Sequence, residues 1–369
     1  STTEYDRVRQ STTEYDRVRQ KTTEDDRRRQ KTTEDDRVRQ KTTEHDSGAG
    51  THAGPSVVLC RTLSSSVALC GILTVVQTTV IINPASGRGA GARLLPRLTA
   101  LFAGRGITDV RTTTAAGDEA RVVQEAVRDG AQTIAVAGGD GTWGKCAVAL
   151  ARLGSPARMA FLANGTGNDF AKNLPMPATD HAAMAALIAQ GEREQRVDLG
   201  SVDEQWFLNV AGFGFDVAVL IDTQRKTWLR GNAVYITAAL KHLFRYPGFN
   251  LQADILGDVA PRRRMMLVVS NGLNFGGAFR IAPAARVDDG VLDFIDIGDV
   301  HRLARVPLFV NALRGAHLAH PKVAAVRAAR ATLMFDAPPS FELDGELYHA
   351  AARTLTVRVV PNALRVLVG

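Results

Sequence analysis

The chain is short of cysteine, of aromatic residues and, over its first part, of methionine. Three cysteines, Cys60, Cys70 and Cys146, occur in 369 residues. Three cannot make a closed disulfide framework, and no Cys-x-x-Cys or Cys/His spacing offers a zinc site. A reducing, cytoplasmic setting is therefore expected. No methionine precedes Met159, so the native start is expected near Val75 or Val76, at an alternative start codon. The segment from Thr62 to Asn83 lacks charge altogether. It would just reach across a bilayer, but Ser64, Ser65, Ser66, Gln77, Thr78 and Thr79 dilute it and its last part alternates like a strand, which argues against a membrane span. No small-x-small cleavage site follows a charged start, which argues against a signal peptide. Thr78 to Ile82 reads as the first buried strand.

The chain opens on a ten-residue repeat, "STTEYDRVRQ" twice, then "KTTEDDRRRQ", "KTTEDDRVRQ" and a degraded fifth copy. Ten matches neither a heptad nor a solenoid unit, and each copy has at most a Tyr and a Val to bury. Residues 1–50 are thus expected to be a disordered, solvated tail, with 51–76 a linker. The tail holds 12 basic and 12 acidic residues, so the net charge of +7 arises from the remainder. A basic folded part attracts nucleic acid, anionic lipid or nucleotide phosphate, and charge alone does not choose among them. No nucleic-acid module is recognisable.

From Thr78 to Leu162 short apolar strands alternate with helical segments, the pattern of a parallel sheet with helices on its faces. Ligands of such sheets bind beyond the carboxyl ends of the strands, and three glycine-rich loops emerge there. "NPASGRGAGA" (Asn83 to Ala92) imitates a dinucleotide fingerprint, with Asp109 in place of the ribose-binding acid. However, four residues separate the strand from the first glycine, and Asp109 precedes its strand. "GGDGT" (Gly138 to Thr142) offers backbone donors from glycines free to take positive φ, a carboxylate at Asp140, and Thr142 as a helix cap. The same stretch also spells G-x-x-x-x-G-K from Gly139, but Cys146 stands where a P-loop needs Ser or Thr. "NGTGNDFA" (Asn164 to Ala171) adds Thr166 and Asp169. Two such loops after neighbouring strands point to a phosphate cleft more strongly than either alone.

Beyond Ser201 the pattern becomes strand-rich, with strands expected at Trp206 to Val210, Leu251 to Ile255, Met265 to Ser270, Leu292 to Ile297, Thr332 to Phe335 and Thr354 to Val359. Helices are expected near Trp228 to Arg245 and His301 to Ala316. "RRR" at Arg262 to Arg264 reads as a solvated hairpin. "RVDDGVLD" (Arg286 to Asp293) is either an acidic hairpin or a hard-oxygen cation site. "LDGE" (Leu343 to Glu346) puts Asp344 and Glu346 on one side if extended. It equally spells a tight D-G turn between strands.

NPASG, GGDGT and NGTGNDFA in this order, with "VDLG", "NVAGFGFD", "NGLNFGGAFRIAPAARVDDGVLDF" and "FELDGE" following, resemble the diacylglycerol kinase catalytic-domain family, in its bacterial soluble branch. The resemblance runs from about Thr78 to the C-terminus. It implies an α/β fold: a parallel-sheet nucleotide domain of the NAD kinase and phosphofructokinase type (77–200), then a β-sandwich-like lipid domain (201–369), with the active site in the cleft between them. It implies an ATP-dependent kinase acting on a diacylglycerol-like lipid hydroxyl. Asn83, Pro84, Ala85, Ser86, Gly87, Thr113, Gly138, Gly139, Asp140, Gly141, Thr142 and Thr166 would contact ATP. A structural Mg2+ would be held by Asp289 with the backbone oxygens of Arg286 and Val291, and Asp140, Asp169 and Asp198 would join a carboxylate, water and metal network. Asp344 would be the general base, seconded by Glu346.

The chain departs from the family after GGDGT, where a variable residue is usually followed by Asn-Glu; here Trp143 is followed by Gly144 and Lys145. Two other readings remain at this stage: a soluble-substrate kinase of the NAD kinase type, which shares GGDGT, and a lipid- or nucleotide-binding pseudokinase. The expected partner is a lipid at a membrane surface, met by peripheral association. Arg225, Lys226, Trp228, Arg230, Lys241, Phe244, Arg245 and Tyr246 mix basic and interfacial aromatic residues suited to an anionic bilayer. A homodimer is also compatible with the sequence.

Overall fold

Thr78–Ile82 (β1) is buried along its whole length, as expected of an inner strand of a parallel sheet covered on both faces. The computed structural model describes residues 77–115, 117–225, 239 and 241–369. The repeat tail, the linker, and Lys226, Trp228 and Arg230 lie outside the described residues. After β1 come α1 (Ser86–Ala103), β2 (Asp109–Thr112), α2 (Glu119–Arg128), β3 (Thr133–Gly138), α3 (Asp140–Arg152), β4 (Arg158–Ala163) and α4 (His181–Gln190). The four strands are parallel, in the order β2-β1-β3-β4.

The period of two along these strands divides the core into two layers. Ile81, Ile134, Val136, Met159 and Phe161 face Val122, Val123, Trp143 and Leu150 of α2 and α3. Val80, Ile82, Ala135, Ala160 and Leu162 face Leu98, Phe102, Met184 and Ile188 of α1 and α4. Each buried Val, Leu, Ile, Phe or Met among them contributes roughly 1.5–3 kcal/mol of transfer free energy. The helices between successive strands return the chain to the same end of the sheet, so the strands run parallel and the three glycine loops come out on one edge.

The second half contains β5 (Glu194–Val202), β6 (Gln205–Phe207), β7 (Val210–Gly214), α5 (Phe215–Arg225), β8 (Phe249–Ala253), β9 (Arg262–Ser270), β10 (Leu292–Gly298), α6 (Arg305–Ala312), β11 (Val323–Ala328), β12 (Arg330–Phe335), β13 (Ser340–Leu343), β14 (Glu346–His349) and β15 (Thr354–Leu367). One antiparallel layer runs β14-β13-β7-β9-β10-β11, and β8, β12, β15, β5 and β6 make the other, with β8 also paired to β9. Leu267, Val269 and Phe294 fill the space between the layers. Met266, Val268, Ile295 and Ile297 point outward, where Phe215 and Leu308 from α5 and α6 cover them. The architecture is an α/β layer with a parallel sheet, followed by a β-sandwich-like half. The 14-residue β15 ties the halves together: it pairs with β12 and β5, and its Val366 also pairs with Met159 of β4.

Three sequence expectations are corrected. The run from Trp206 to Val210 is two strands broken at Leu208 and Asn209, because the amides there bind a side chain. Arg262 to Arg264 is not a solvated hairpin: it begins β9, and Arg264 is buried between Asp258 (2.6 Å) and Asp296 (2.7 Å). The helix near His301 to Ala316 is shorter, with turns at Arg302–Ala304 and Ala316–Ala319 flanking α6.

Candidate active site

The loops after β1, β3 and β4 are tied to one another by side chains. Asn83 Nδ2 donates to Thr142 Oγ1 (2.9 Å), and its Oδ1 accepts from the Ala85 amide (2.9 Å). Ser86 Oγ donates to the Asn83 carbonyl (2.7 Å) and accepts from Asn164 Nδ2 (2.8 Å). The Pro84 carbonyl accepts from Ala92 N, and Gly87, Arg88 and Gly89 have positive φ, giving a tight entry to α1. Thr113, buried after β2, donates its amide to Ile82. Asp109 stands at the first residue of β2, away from this edge, bonded to Thr79 and Arg111. The dinucleotide fingerprint is therefore an imitation in space as well as in sequence.

None of Gly138, Gly139 and Gly141 has positive φ, contrary to the expectation for GGDGT. The glycines are needed for close approach instead. A Cβ on Gly139 would sit 3.0 Å from Gly165 Cα, and one on Gly165 would sit 2.6 Å from Gly139 Cα. The two loops meet backbone to backbone. Gly139 is the N-cap of α3, so the amides of Asp140, Gly141 and Thr142 form the helix's first turn, where intrahelical acceptors are missing and anions are favoured. Thr142 is not the cap: it lies within this turn, holding Asn83. Thr166 is exposed at the tip of the third loop.

Asp140 and Asp169 are brought together. Asp140 Oδ1 accepts from the amides of Asp169 (2.6 Å) and Phe170 (3.3 Å), and burial, then the charge of Asp169, raises its pKa. Asp169 is paired with Lys172 (2.6 Å) and accepts from Gly277 N (2.7 Å). Asp198 goes elsewhere. Its two oxygens accept from Gly290 N and Asn362 N, each at 2.7 Å. It thereby pins the 286–291 loop to β15 rather than joining the other two carboxylates. In that loop Asp289 pairs with Arg327 and accepts from Val291 N, while Arg286 pairs with Asp288. Among the described residues no group of three His, Cys, Asp or Glu side chains is placed to hold a metal ion.

Asp344 and Gly345, both with positive φ, form the two-residue turn between β13 and β14, where Leu343 pairs with Glu346. Asp-Gly is the residue pair that such a turn prefers. LDGE is thus a hairpin turn, not an extended segment. Asp344 Oδ2 accepts from Leu208 N (2.7 Å), and Oδ1 accepts from Asn209 N (2.8 Å) and Val210 N (3.1 Å). These are the amides freed by the break between β6 and β7. Burial pushes the Asp344 pKa up to about 6 against the pull of the three amides, with Asp140 adding to the rise. Glu346 Oε1 takes Lys145 Nζ at 2.7 Å. Burial would lower the Lys145 pKa, but Glu346 outweighs it and the net shift is upward.

The hairpin tip sits over the first turn of α3. A Cβ on Gly141 would lie 3.8 Å from the Asp344 carbonyl and 4.0 Å from Glu346 Oε1. A Cβ on Gly144 would lie 2.6 Å from Asp344 Oδ2. A helix end of phosphate-binding type and a carboxylate with a raised pKa therefore lie next to each other. Further along β7 lies a cavity of about 470 Å³ lined by Phe213, Val217, Ile221, Tyr246, Phe249 and Phe335 among others. Two residues absent from the sequence reading, Asp216 and Glu342, are buried beside Gly212. Burial raises the Asp216 pKa to about 7 and raises Glu342 well above the usual range, with Asp216 adding to the latter. Asp216 was visible in "NVAGFGFD" and Glu342 in "FELDGE", but nothing in the sequence places them together.

The fold is that of a two-part protein, a parallel α/β layer joined to a β-sandwich-like half. Residues 77–202 match the diacylglycerol kinase catalytic domain, and residues 209–368 match the YegS C-terminal NAD kinase beta sandwich-like domain. The chain belongs to this family of YegS-like and diacylglycerol kinase proteins. It is 32% identical to a Pseudomonas fluorescens protein named "Probable lipid kinase YegS-like" over 268 residues, 70% of this chain and 84% of that one. It is 27% identical to the "Diacylglycerol kinase" of Bacillus subtilis over 270 residues, 72% of this chain and 88% of that one. Against a Pseudomonas aeruginosa protein with the YegS-like name the identity is 37%, over 50% of this chain and 60% of that protein's length. A crystal structure of a diacylglycerol kinase from Bacillus anthracis shares the fold, with TM-score 0.61 and 22% identity over 80% of this chain and 97% of that one.

Proposed function

We propose that this chain transfers the γ-phosphoryl group of ATP to the hydroxyl of a diacylglycerol-like lipid, in the cleft between the first turn of α3 and the 344–346 turn. The observation that carries this reading is the position of Asp344, whose carboxylate lies against Gly144, one turn into a helix whose N-terminus is of the phosphate-binding type. Asn83 to Gly87, Thr113, Gly138 to Thr142 and Thr166 line the nucleotide side. The reacting lipid oxygen attacks the γ-phosphorus, the bond to the β–γ bridging oxygen breaks, and its electron pair leaves with ADP. The hydroxyl proton passes to Asp344, which at neutral pH is ionised despite its raised pKa of about 6. Transfer of this kind depends on positioning and on charge neutralisation more than on a strong base. The three amides that hold Asp344 supply the positioning.

Of the predicted metal ligands, Asp140 fits a nucleotide-bound Mg2+ best. Its Oδ1 is engaged by amides, and its raised pKa marks a carboxylate with little cationic compensation. Mg2+ would neutralise phosphate charge there. Asp289 is already compensated by Arg327, so the structural-metal set fits less well.

The aromatic cavity supports a lipid acceptor over a soluble one. It begins at Phe213, three residues along β7 from Val210, or roughly 10 Å at strand rise, a separation that a lipid with its tail in the cavity would span to bring its hydroxyl to Asp344. No described helix is long and apolar enough to cross a membrane, and the acceptor would be met by peripheral association. The halves 77–200 and 201–369 would act as nucleotide and lipid domains. Incubation with γ-labelled ATP, Mg2+ and a panel of lipid alcohols tests this: label in the organic phase is expected, and label only in a water-soluble product would favour the NAD kinase type.

A further inference from the structure

Seven large apolar side chains are strongly exposed among the described residues, and four stand on one helix and its ends: Leu303, Val306, Val310 and Leu313. Their spacing of three, four and three residues makes a single stripe along α6. The opposite face is fully used. Leu308 and Ala312 are buried, and Phe309 packs edge-on to Phe215 (4.9 Å) and Phe279 (5.9 Å). The stripe is therefore not surplus core but a face left open by a helix already seated.

The charged side chains carried by the helix and the chain beyond it, as far as Phe335, are all basic. From His301 to Phe335 the sequence holds six Lys or Arg residues and no Asp or Glu. Arg302 and Arg314 are exposed at the two ends of the stripe. Arg305 is buried and donates to the carbonyls of Leu243 and Tyr246, each at 3.0 Å. This brings the exposed Phe244 and Arg245 alongside. Asp299, the acid nearest in sequence, is engaged by Arg263 and Arg305. An apolar stripe with cationic ends suits an anionic lipid surface, which takes apolar side chains at the acyl boundary and cations at the headgroups. It suits a second copy of this chain less well, since that would bring basic rims together.

We infer that α6 is the membrane-seating element, with the Leu303–Leu313 stripe entering an anionic bilayer and Arg302, Arg314 and Arg245 meeting its headgroup phosphates. The inference rests on the lipid-acceptor reading and deepens it. Through Phe309 and Phe215, α6 adjoins α5, whose Val217, Ala218 and Ile221 line the aromatic cavity. Seating on α6 holds that cavity at the surface from which the acceptor comes.

The test uses the full chain with vesicles of phosphatidylcholine alone or with phosphatidylglycerol, read by co-sedimentation. A parallel assay follows turnover of a short-chain, monomeric diacylglycerol. The Leu303→Glu/Val310→Glu variant is expected to lose about tenfold or more of its binding to anionic vesicles, and Arg302→Gln/Arg314→Gln to lose the preference for anionic over neutral vesicles. Both are expected to keep wild-type turnover of the monomeric substrate. Wild-type vesicle binding by the Glu variant overturns the inference, as does conversion of a dimer to a monomer without change in vesicle binding. If no variant and no wild-type sample phosphorylates any lipid while the binding pattern holds, the kinase reading fails and the seating surface stands.

Discussion

Gly144 and Asp344 are in direct contact: a Cβ built on Gly144 would lie 2.6 Å from the Asp344 carboxylate oxygen Oδ2. The departure from the family's Asn-Glu is thus a paired one. Gly144 leaves the room that Asp344 occupies, and Lys145 meets Glu346 of the same hairpin turn at 2.7 Å. Gly144→Ala is expected to displace Asp344 from the amides of Leu208, Asn209 and Val210. A shift near 1 Å at the reacting group costs about 100-fold in turnover. Steady-state kinetics with a circular-dichroism check of folding measures this; unchanged kcat would show that Asp344 tolerates displacement.

The raised pKa of Asp344 sets a pH dependence. Under the proposed role of Asp344 as base it must be ionised, so kcat/KM is expected to be level above about pH 7 and to fall tenfold per unit once pH drops well below 6. A profile level down to pH 5 would mean that no group of this pKa is required.

Lys145→Ala tests the other half of the pair. Both partners are substantially exposed, so the ion pair itself is worth less than about 1 kcal/mol of stability. If Lys145 turns from Glu346 to the nucleotide's phosphates, the KM for ATP rises while the KM for lipid stays. Equal KM values in both would confine Lys145 to its contact with Glu346.

Arg264 gives a prediction about stability. It is buried between Asp258 and Asp296 and also donates to the Leu251 carbonyl. Arg264→Ala leaves the part-buried Asp296 without its cation and the buried Asp258 with only the exposed Arg262 (3.3 Å), and is expected to cost about 3–5 kcal/mol in urea unfolding. The exposed neighbour Arg263 is expected to cost under about 1 kcal/mol when changed to Ala.

The sequence showed the parallel half well because its strands are continuous apolar runs set between helices, and glycines marked each loop at the sheet's edge. Asp344 was legible as a candidate, but its setting was not. Trp206 to Val210 is an apolar run and reads as one strand, and the break at Leu208 and Asn209 arises only because a side chain 135 residues away takes the amides. Arg264 was hidden similarly, since its partners come from Asp258 and from Asp296 on another strand. Gly144 looked like a loss against the family pattern; its role follows from contact with Asp344, which local sequence does not encode.

The most direct measurement is transfer of labelled γ-phosphate from ATP to diacylglycerol by the wild-type chain and by Asp344→Asn in parallel. Labelled lipid is expected from the wild type, with a loss of about 100-fold or more in the variant and nucleotide binding retained. Equal transfer by the two proteins would contradict the assignment of Asp344 as the base.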